Sequence, residues 1–308
     1  MLGTRDIKRR IRSVQNTRQI TRAMKMVAAA QLRKAQARAL AARPYFQALE
    51  GILHQLAGEA GGYAADLHPL LQPREGRRRL YLVITSDRGL AGGYNANILR
   101  LLLEDAERYR REGGEVSYMT LGRKGRDFLR FRHLAIRGEF LQADEPDYEL
   151  ARNVARELIG VYSAGEVDEV MLVYSQFVSV LVQRPTVQRF LPLTVSEPKG
   201  SGGEKKMAGS KGGAVPAPRA EYLFEPEARK VLGDLIPRYL NAVVYHAMLE
   251  AKAGEFGARM TAMDNATRNA DDLIDTLTLS FNRARQAAIT REIAEITGAA
   301  EALRHISG

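Results

Sequence analysis

The chain has 308 residues, enough for two domains, and 45% of them are hydrophobic, enough for a core. It contains no cysteine, which excludes a disulfide framework, thiolate catalysis and cysteine-ligated metal sites. The net charge is +10, but the first 49 residues hold twelve basic side chains and one acid, so this segment carries +11 and the remainder about −1. Such asymmetry favours an anionic partner for the N-terminal segment, although a solvated helix face would also explain it.

The first segment, 1–57, is predicted to form one long helix from about Thr4. Its apolar and small residues recur at alternating steps of four and three, with Arg18 and Lys25 at two of these steps. This period is typical of a coiled-coil seam rather than of a globular surface helix. Some 50 residues would extend about 75 Å, too far to be buried against a small domain. The seam residues are Ile7, Ile11, Val14, Thr21, Ala28, Leu32, Ala35, Ala39 and Ala42.

The middle of the chain predicts an α/β domain. Segment 58–76 has the glycine and proline density of a connector. In segment 77–197, short apolar runs alternate with helical patterns, which favours a mainly parallel sheet. The expected elements are strands at Leu80–Thr85, Glu115–Leu121 and Glu169–Phe177, a helix with Asn95 as its N-cap, a helix at Tyr148–Tyr162, and a hairpin or edge pair at 178–183 and 187–193 around Pro185.

The last third of the chain predicts a loop and a second long helix. Segment 198–221 is low in complexity and is expected to be a flexible loop. Segment 222–308 is helical again; Pro237 should end or kink its first piece, and a long helix should then run towards Ala302. We therefore predict a long antiparallel coiled coil of the N- and C-terminal helices, with a Rossmann-like α/β domain inserted between them. The second seam comprises Met263, Ala266, Ala270, Ile274, Leu277, Phe281, Ala284 and Ala288.

Residues 85–98, TSDRGLAGGYNANI, could in principle hold a phosphate. A dinucleotide fingerprint needs G-x-G-x-x-G, but here Ala91 occupies the place of the second glycine and Asn95 that of the third. A Gly-Lys-Ser/Thr sequence is missing as well. The favoured interpretation is a tight turn in which glycine supplies positive φ. The five histidines are scattered, so no catalytic, cofactor-binding or metal-binding residue is predicted.

Four separated strings resemble the gamma subunit of rotary ATP synthases: Ile7–Gln36, Ser86–Ile98, Glu250–Ile274 and Asn282–Ala300. The resemblance implies a central shaft inside a hexamer of alternating alpha and beta subunits, with the α/β domain near the epsilon subunit and the ring of c subunits. Proton-driven rotation of the shaft would cycle the catalytic beta sites, so this chain would itself be non-catalytic and without a cofactor. It would lie peripherally on the cytoplasmic side of the cell membrane.

The resemblance also implies contacts between the shaft and its collar. Gln286 and Thr290 are four residues apart and therefore share a helix face. The basic N-terminal face is expected to meet acidic collar surface. Ordinary solvent exposure is the alternative for each position. The predicted contacts are Met24, Arg33, Lys34, Arg38, Arg259, Gln286, Thr290 and Glu292.

Two other functions remain open on the sequence alone. A basic coiled-coil protein could bind nucleic acid, with an affinity that falls steeply as salt rises. Against it, the basic helix has no interleaved aromatic residue before Tyr45, so no nucleic-acid partner is expected. A nucleotide-dependent α/β enzyme is disfavoured by the glycine loop. No apolar stretch approaches the roughly 18 residues of a membrane span, so no direct span is expected.

Overall fold

The computed structural model of the chain describes residues 4–60, 68–141, 145–194 and 228–306. The predicted flexible loop, 198–221, lies outside these residues. Five helices and five strands follow one another along the described ranges: α1 (Thr4–Ala60), β1 (Arg78–Ile84), α2 (Tyr94–Arg111), β2 (Glu115–Leu121), α3 (Arg123–Phe131), β3 (Ile136–Phe140), α4 (Tyr148–Ser163), β4 (Glu169–Phe177), β5 (Gln183–Leu191) and α5 (Ala228–Ile306).

These elements form two compact units, and α1 and α5 contribute to both. One unit comprises Met1–Gln31, Leu90–Gly92 and Phe256–Gly308. The other comprises Leu32–Gly89 and Gly93–Glu255. We call them the helical unit and the α/β unit.

In the helical unit, α1 and α5 run antiparallel. Three side-chain contacts show the direction, since each step forward along α1 is a step back along α5. Together with the inserted sheet domain, this pairing confirms the predicted architecture. The contacts are Arg18 Nη1 to Asp271 Oδ1 at 2.9 Å, Thr21 Oγ1 to Thr267 Oγ1 at 2.8 Å, and Lys25 Nζ to Asp264 Oδ1 at 2.5 Å.

The predicted seam of α1 is buried or half-buried at every position. The α5 seam follows the same pattern down to Ala284, but Ala288 is exposed and that prediction was wrong. The pairing explains why. α1 begins at Thr4, fourteen residues before Arg18, and the same step along α5 from Asp271 ends at position 285. Ala288 therefore lies beyond the start of its partner helix.

The α/β unit is built on a five-stranded sheet in the order β3-β2-β1-β4-β5. The pairs β1–β2, β1–β4 and β2–β3 are parallel, whereas β4–β5 is antiparallel. The central strand β1 ends in five fully buried residues because helices cover both faces of a parallel sheet. One core joins the sheet to α4, α5 and the end of α1, where the Phe46 ring stacks on Tyr239 at 5.6 Å.

Several element boundaries differ from the predictions. Asn95 is not the N-cap of α2: Gly93 precedes the helix, and the Asn95 carboxamide instead accepts the Ser86 backbone N–H at 3.0 Å. The hairpin around Pro185 was also wrong. Residues 178–182 form the turn between β4 and β5, and Pro185 lies within β5, an edge strand, where a missing N–H is tolerated.

Pro237 does not end its helix, because α5 is continuous from Ala228 to Ile306. An interior proline costs about 3 kcal/mol through its lost hydrogen bond and its clash with the preceding turn. Its neighbours Ile236 and Leu240 are completely buried in the core of the α/β unit. Burying two such side chains contributes about 3–6 kcal/mol, which offsets the loss.

Candidate functional site

The glycine-rich loop after β1 is occupied by contacts within the chain. Asp87 Oδ1 accepts the backbone N–H of Arg123 at 2.7 Å, and the Ser86 carbonyl accepts that of Lys124 at 3.0 Å. The Thr85 hydroxyl accepts the N–H of Gly125 at 2.8 Å. These are the first N–H groups of α3, the type of donor that phosphate-binding helices offer to a ligand. Here the chain supplies its own acceptors, in support of a structural turn.

Positive φ in this loop is found at Gly92 (+57°), as the turn interpretation predicted, and also at Leu90 (+63°). A leucine rarely adopts this conformation because its Cβ crowds the following carbonyl. The loop therefore adopts a defined backbone conformation, and the conformational freedom of glycine alone does not account for its positive φ angles.

The strand order reverses between β1 and β4, the place where open α/β sheets usually bind ligands at their carboxyl edge. In this chain α5 packs there. The Tyr94 hydroxyl donates to the Ala251 carbonyl at 2.7 Å. A Cβ on Gly254 would lie 3.2 Å from the Tyr94 ring and 3.5 Å from the Ser175 carbonyl at the end of β4. The crevice thus holds a helix of the chain itself.

On the surface of the helical unit, basic side chains of α1 pair with acidic side chains of α5 at two positions seven residues apart, which we call the charge ladder. Lys25 and Arg268 both bind Asp264, and they lower the pKa of that carboxyl, Lys25 contributing most. Arg18 binds Asp271 one heptad away. With Arg22, these side chains line a groove of about 400 Å³. Sequence reasoning missed the ladder, although its signal was present: both the basic and the acidic members are spaced seven residues apart.

The predicted basic contacts fall into two groups. Arg33 is exposed, whereas Lys34 and Arg38 both form ion pairs with Glu145. The hydrogen bond from Lys34, followed by that from Arg38, lowers the pKa of Glu145 to about 2. Two of the three cations expected to meet a collar therefore already have a carboxylate within the chain. Met24 is half-buried on α1.

The predicted contacts on α5 are also divided. Arg259 is 8% exposed, with its guanidinium 5.7 Å from the Phe256 ring centre, so it presents little surface. Gln286, Thr290 and Glu292 are exposed. They lie on the part of α5 that extends past Thr4, the first described residue of α1, where side chains 285–298 are all exposed.

Within the described ranges, no group of three or more histidine and acidic side chains is arranged to hold a metal ion. In the same part of the chain, no helix is both long enough and apolar enough to cross a membrane.

Comparison with known proteins identifies a family. A family model described as ATP synthase matches residues 3–303. The ATP synthase gamma chain of Moorella thermoacetica is 50% identical over 99% of this chain and 100% of its own length. That of Pelotomaculum thermopropionicum is 48% identical over 98% and 100%.

Solved structures share the fold. A chain in the cryo-EM structure of Euglena gracilis mitochondrial ATP synthase (OSCP/F1/c-ring, rotational state 3) is 18% identical, with a TM-score of 0.66 over 97% of this chain and 94% of that one. The family model spans nearly the whole chain, and the bacterial relatives match along their full length at about half identity. The chain therefore belongs to the ATP synthase gamma chain family.

Proposed function

We propose that the chain is the central rotor shaft of a proton-translocating ATP synthase. It turns with a ring of c subunits and drives the catalytic beta subunits of an alpha–beta hexamer through their conformational cycle. The observation that carries this proposal is the antiparallel pair of α1 and α5, with α5 continuing past Thr4 as a stretch whose side chains 285–298 are all exposed. Such an element can enter a narrow collar as a single helix and widen into a stiff pair.

The sheet domain supports a structural rather than a catalytic role. Its carboxyl-edge crevice packs around α5, and the N–H groups of α3 bind the chain's own oxygens. We place catalysis on the beta subunits, and the epsilon subunit and c-ring beside the α/β unit. The chain then lies peripherally, on the cytoplasmic side of the cell membrane. Co-purification tests this proposal: the chain should bring down a hexameric ATPase, and failure to do so in the native host would count against it.

The exposed end of α5 carries an apolar stripe beside a polar face. Ile289, Ile293 and Ile296 are exposed and lie along one face, at spacings of four and three. Gln286 and Thr290 occupy the neighbouring face. An apolar stripe slides without breaking hydrogen bonds, while the polar pair can hold the shaft at defined angles. Hydrogen bonds to charged groups are worth about 1.5–3 kcal/mol, enough to bias a dwell without locking the rotor.

Replacing Gln286 and Thr290 together with alanine is expected to lower proton-driven ATP synthesis about threefold to tenfold in membrane vesicles, with normal assembly of the complex. The polar face should hold the shaft at angles from which the beta sites release product. Glu295→Ala is the matched control, since Glu295 is exposed on the opposite face of the same helix. Equal rates for the double variant and the control would remove these contacts from the account.

A charge exchange separates the two roles of Lys34. In Lys34→Glu, repulsion from Glu145 should add to any loss at the collar. The second change, Glu145→Lys, restores an ion pair within the chain, and Arg38, which loses Glu145, gains the new carboxylate four residues away on its own helix face. If Lys34 also meets acidic collar surface, the exchanged variant should keep the parental thermal stability but couple hydrolysis to proton transport at half the parental efficiency or less. Full recovery of coupling would show that Lys34 acts only within the chain.

The nucleic-acid-binding alternative gains nothing from the fold or the relatives. Arg18, Lys25, Lys34 and Arg38 each bind a carboxylate of the same chain, so the basic segment is partly neutralised before any partner arrives.

A further inference from the structure

The α/β unit contains a cleft of about 420 Å³ between α1, α5 and the end of β4. Ala39, Leu40, Phe177 and Ala253 give it apolar walls. Its polar lining consists of Gln36, Arg43, His246 and Glu250. Small-molecule sites have this volume and this composition, an apolar surface with a few polar groups that fix orientation.

Glu250 is the acidic residue in the lining of this cleft, and one of its two carboxylate oxygens is unsatisfied within the described part of the chain. Its side chain is 16% exposed, and its Oε2 atom is buried with no hydrogen-bond partner among the described residues. As a carboxylate, this oxygen lacks a donor; as a carboxylic acid, a proton on it would lack an acceptor. Leaving such a group unsatisfied is unfavourable, and a hydrogen-bond donor bound at the carboxylate offsets part of that cost.

We propose that this cleft binds a small organic cation, an amine on an aromatic or aliphatic body, with its ammonium group against the Glu250 carboxylate and its body between Leu40 and Phe177. The inference goes beyond the proposed rotor function and does not depend on it. A cation is favoured over a neutral donor because its charge adds Coulomb attraction to the hydrogen bond with the carboxylate.

Three charged or titratable groups face Glu250. Tyr174 of β4 lies near Glu250, but its hydroxyl donates to Gln188 Oε1 at 3.0 Å, and burial raises its pKa, so it remains a neutral phenol. His246 of α5 has its Nε2 atom 4.0 Å from Glu250 Oε1, and its pKa is lowered by burial and by the nearby charge of Arg43. Arg43 of α1 is exposed at the rim and competes with an incoming cation. Its removal should therefore strengthen binding.

Burial raises the pKa of Glu250 to about 7. The carboxylate form grows as pH rises through that value, while an alkylamine keeps its proton. Affinity for the cation should therefore rise about fivefold to tenfold from pH 6 to pH 8, the change in the ionised fraction of such a group. A neutral ligand would not show this rise.

The test is a ligand-detected NMR titration of the full chain with benzylamine, with benzyl alcohol and benzoate as the neutral and anionic probes. We expect benzylamine to bind most tightly at pH 8, to lose at least tenfold in affinity in Glu250→Gln, and to gain about threefold in Arg43→Ala. Benzyl alcohol should bind Glu250→Gln and the parent equally. Glu149→Gln, on the exposed surface of α4, is the matched control and should change nothing.

A second variant guards against a folding defect in Glu250→Gln. Leu40 is 66% exposed, so Leu40→Ser removes an apolar wall without disturbing the core, and it should weaken benzylamine about threefold. The proposal is overturned if benzylamine does not bind the parent at pH 8, if Glu250→Gln binds it as well as the parent does, or if benzoate binds more tightly than benzylamine.

Discussion

Replacing Ala28 with aspartate is expected to uncouple ATP hydrolysis from proton transport in the assembled enzyme. Ala28 is 2% exposed and occupies a seam position of α1 in the helical unit. Alanine at such a position allows close approach of two helices, and aspartate would place an unpaired charge there. Breaking a buried pair to leave such a charge costs about 3–5 kcal/mol, and inserting one should cost a similar amount.

The measurement pairs thermal unfolding of the chain, followed by circular dichroism, with ATP-driven proton pumping in vesicles. Ala30→Asp is the control, because Ala30 lies two residues away on the exposed face of the same helix. We expect Ala28→Asp to lower the midpoint of unfolding and to abolish pumping while hydrolysis continues, and Ala30→Asp to behave like the parent. Normal pumping by Ala28→Asp would mean that the tight seam is unnecessary for coupling.

The second large effect is expected at Gly122, where alanine should unfold the α/β unit. Gly122 has φ +115°, and a Cβ there would lie 2.1 Å from the Thr85 carbonyl oxygen, far inside contact distance. Strand β1 cannot move away, because the Thr85 N–H donates to the Leu121 carbonyl at 2.9 Å. Backbone strain and overpacking together should cost about 4 kcal/mol or more, a large part of the stability of a typical domain.

Gly113→Ala separates the two causes. Gly113 also has positive φ (+85°), but a Cβ there would meet only the end of the Arg77 side chain, at 3.5 Å. In urea unfolding, Gly113→Ala should therefore lower the free energy of unfolding only by the conformational cost of positive φ, about 1–2 kcal/mol. Equal losses for the two variants would show that the close approach to Thr85 carries no penalty.

Patterns local in sequence predicted most of the fold. The alternating four-and-three spacing of small and apolar residues predicted both helices of the shaft, because side-chain burial along a helix pair follows that period directly. Strands β2 and β4 have the predicted bounds, since each is a short segment rich in apolar and aromatic residues in a sheet covered on both faces. The short edge strand β3 was missed, since residues 136–140 carry few apolar side chains.

The wrong predictions concern features that depend on contacts with residues distant in sequence. Asn95 has the chemistry of an N-cap, but its carboxamide is used by Ser86 nine residues earlier. Helix α5 continues through Pro237 because burial of Ile236 and Leu240 in the core of the α/β unit outweighs one lost hydrogen bond. No local pattern reveals that Lys34 meets Glu145, since 111 residues separate them.

The candidate contacts show the same limit. The sequence pattern placed Gln286 and Thr290 on one helix face, and exposure is compatible with their proposed role. It could not show that Arg259 is buried beside Phe256, because a guanidinium on a long helix is usually solvated. A charged residue on a regular helix can be assigned to solvent, a seam or a partner only when the neighbouring element is known.

Rotation is the most direct test of the shaft proposal. The chain contains no cysteine, so a single cysteine at Phe131, exposed at the end of α3 in the α/β unit, gives one defined attachment point for a bead. The chain would be assembled with an immobilised alpha–beta hexamer and observed during ATP hydrolysis. We predict continuous, ATP-dependent rotation of the bead in one direction. A complex that assembles and hydrolyses ATP while the bead stays fixed would contradict the proposal that this chain is the rotor.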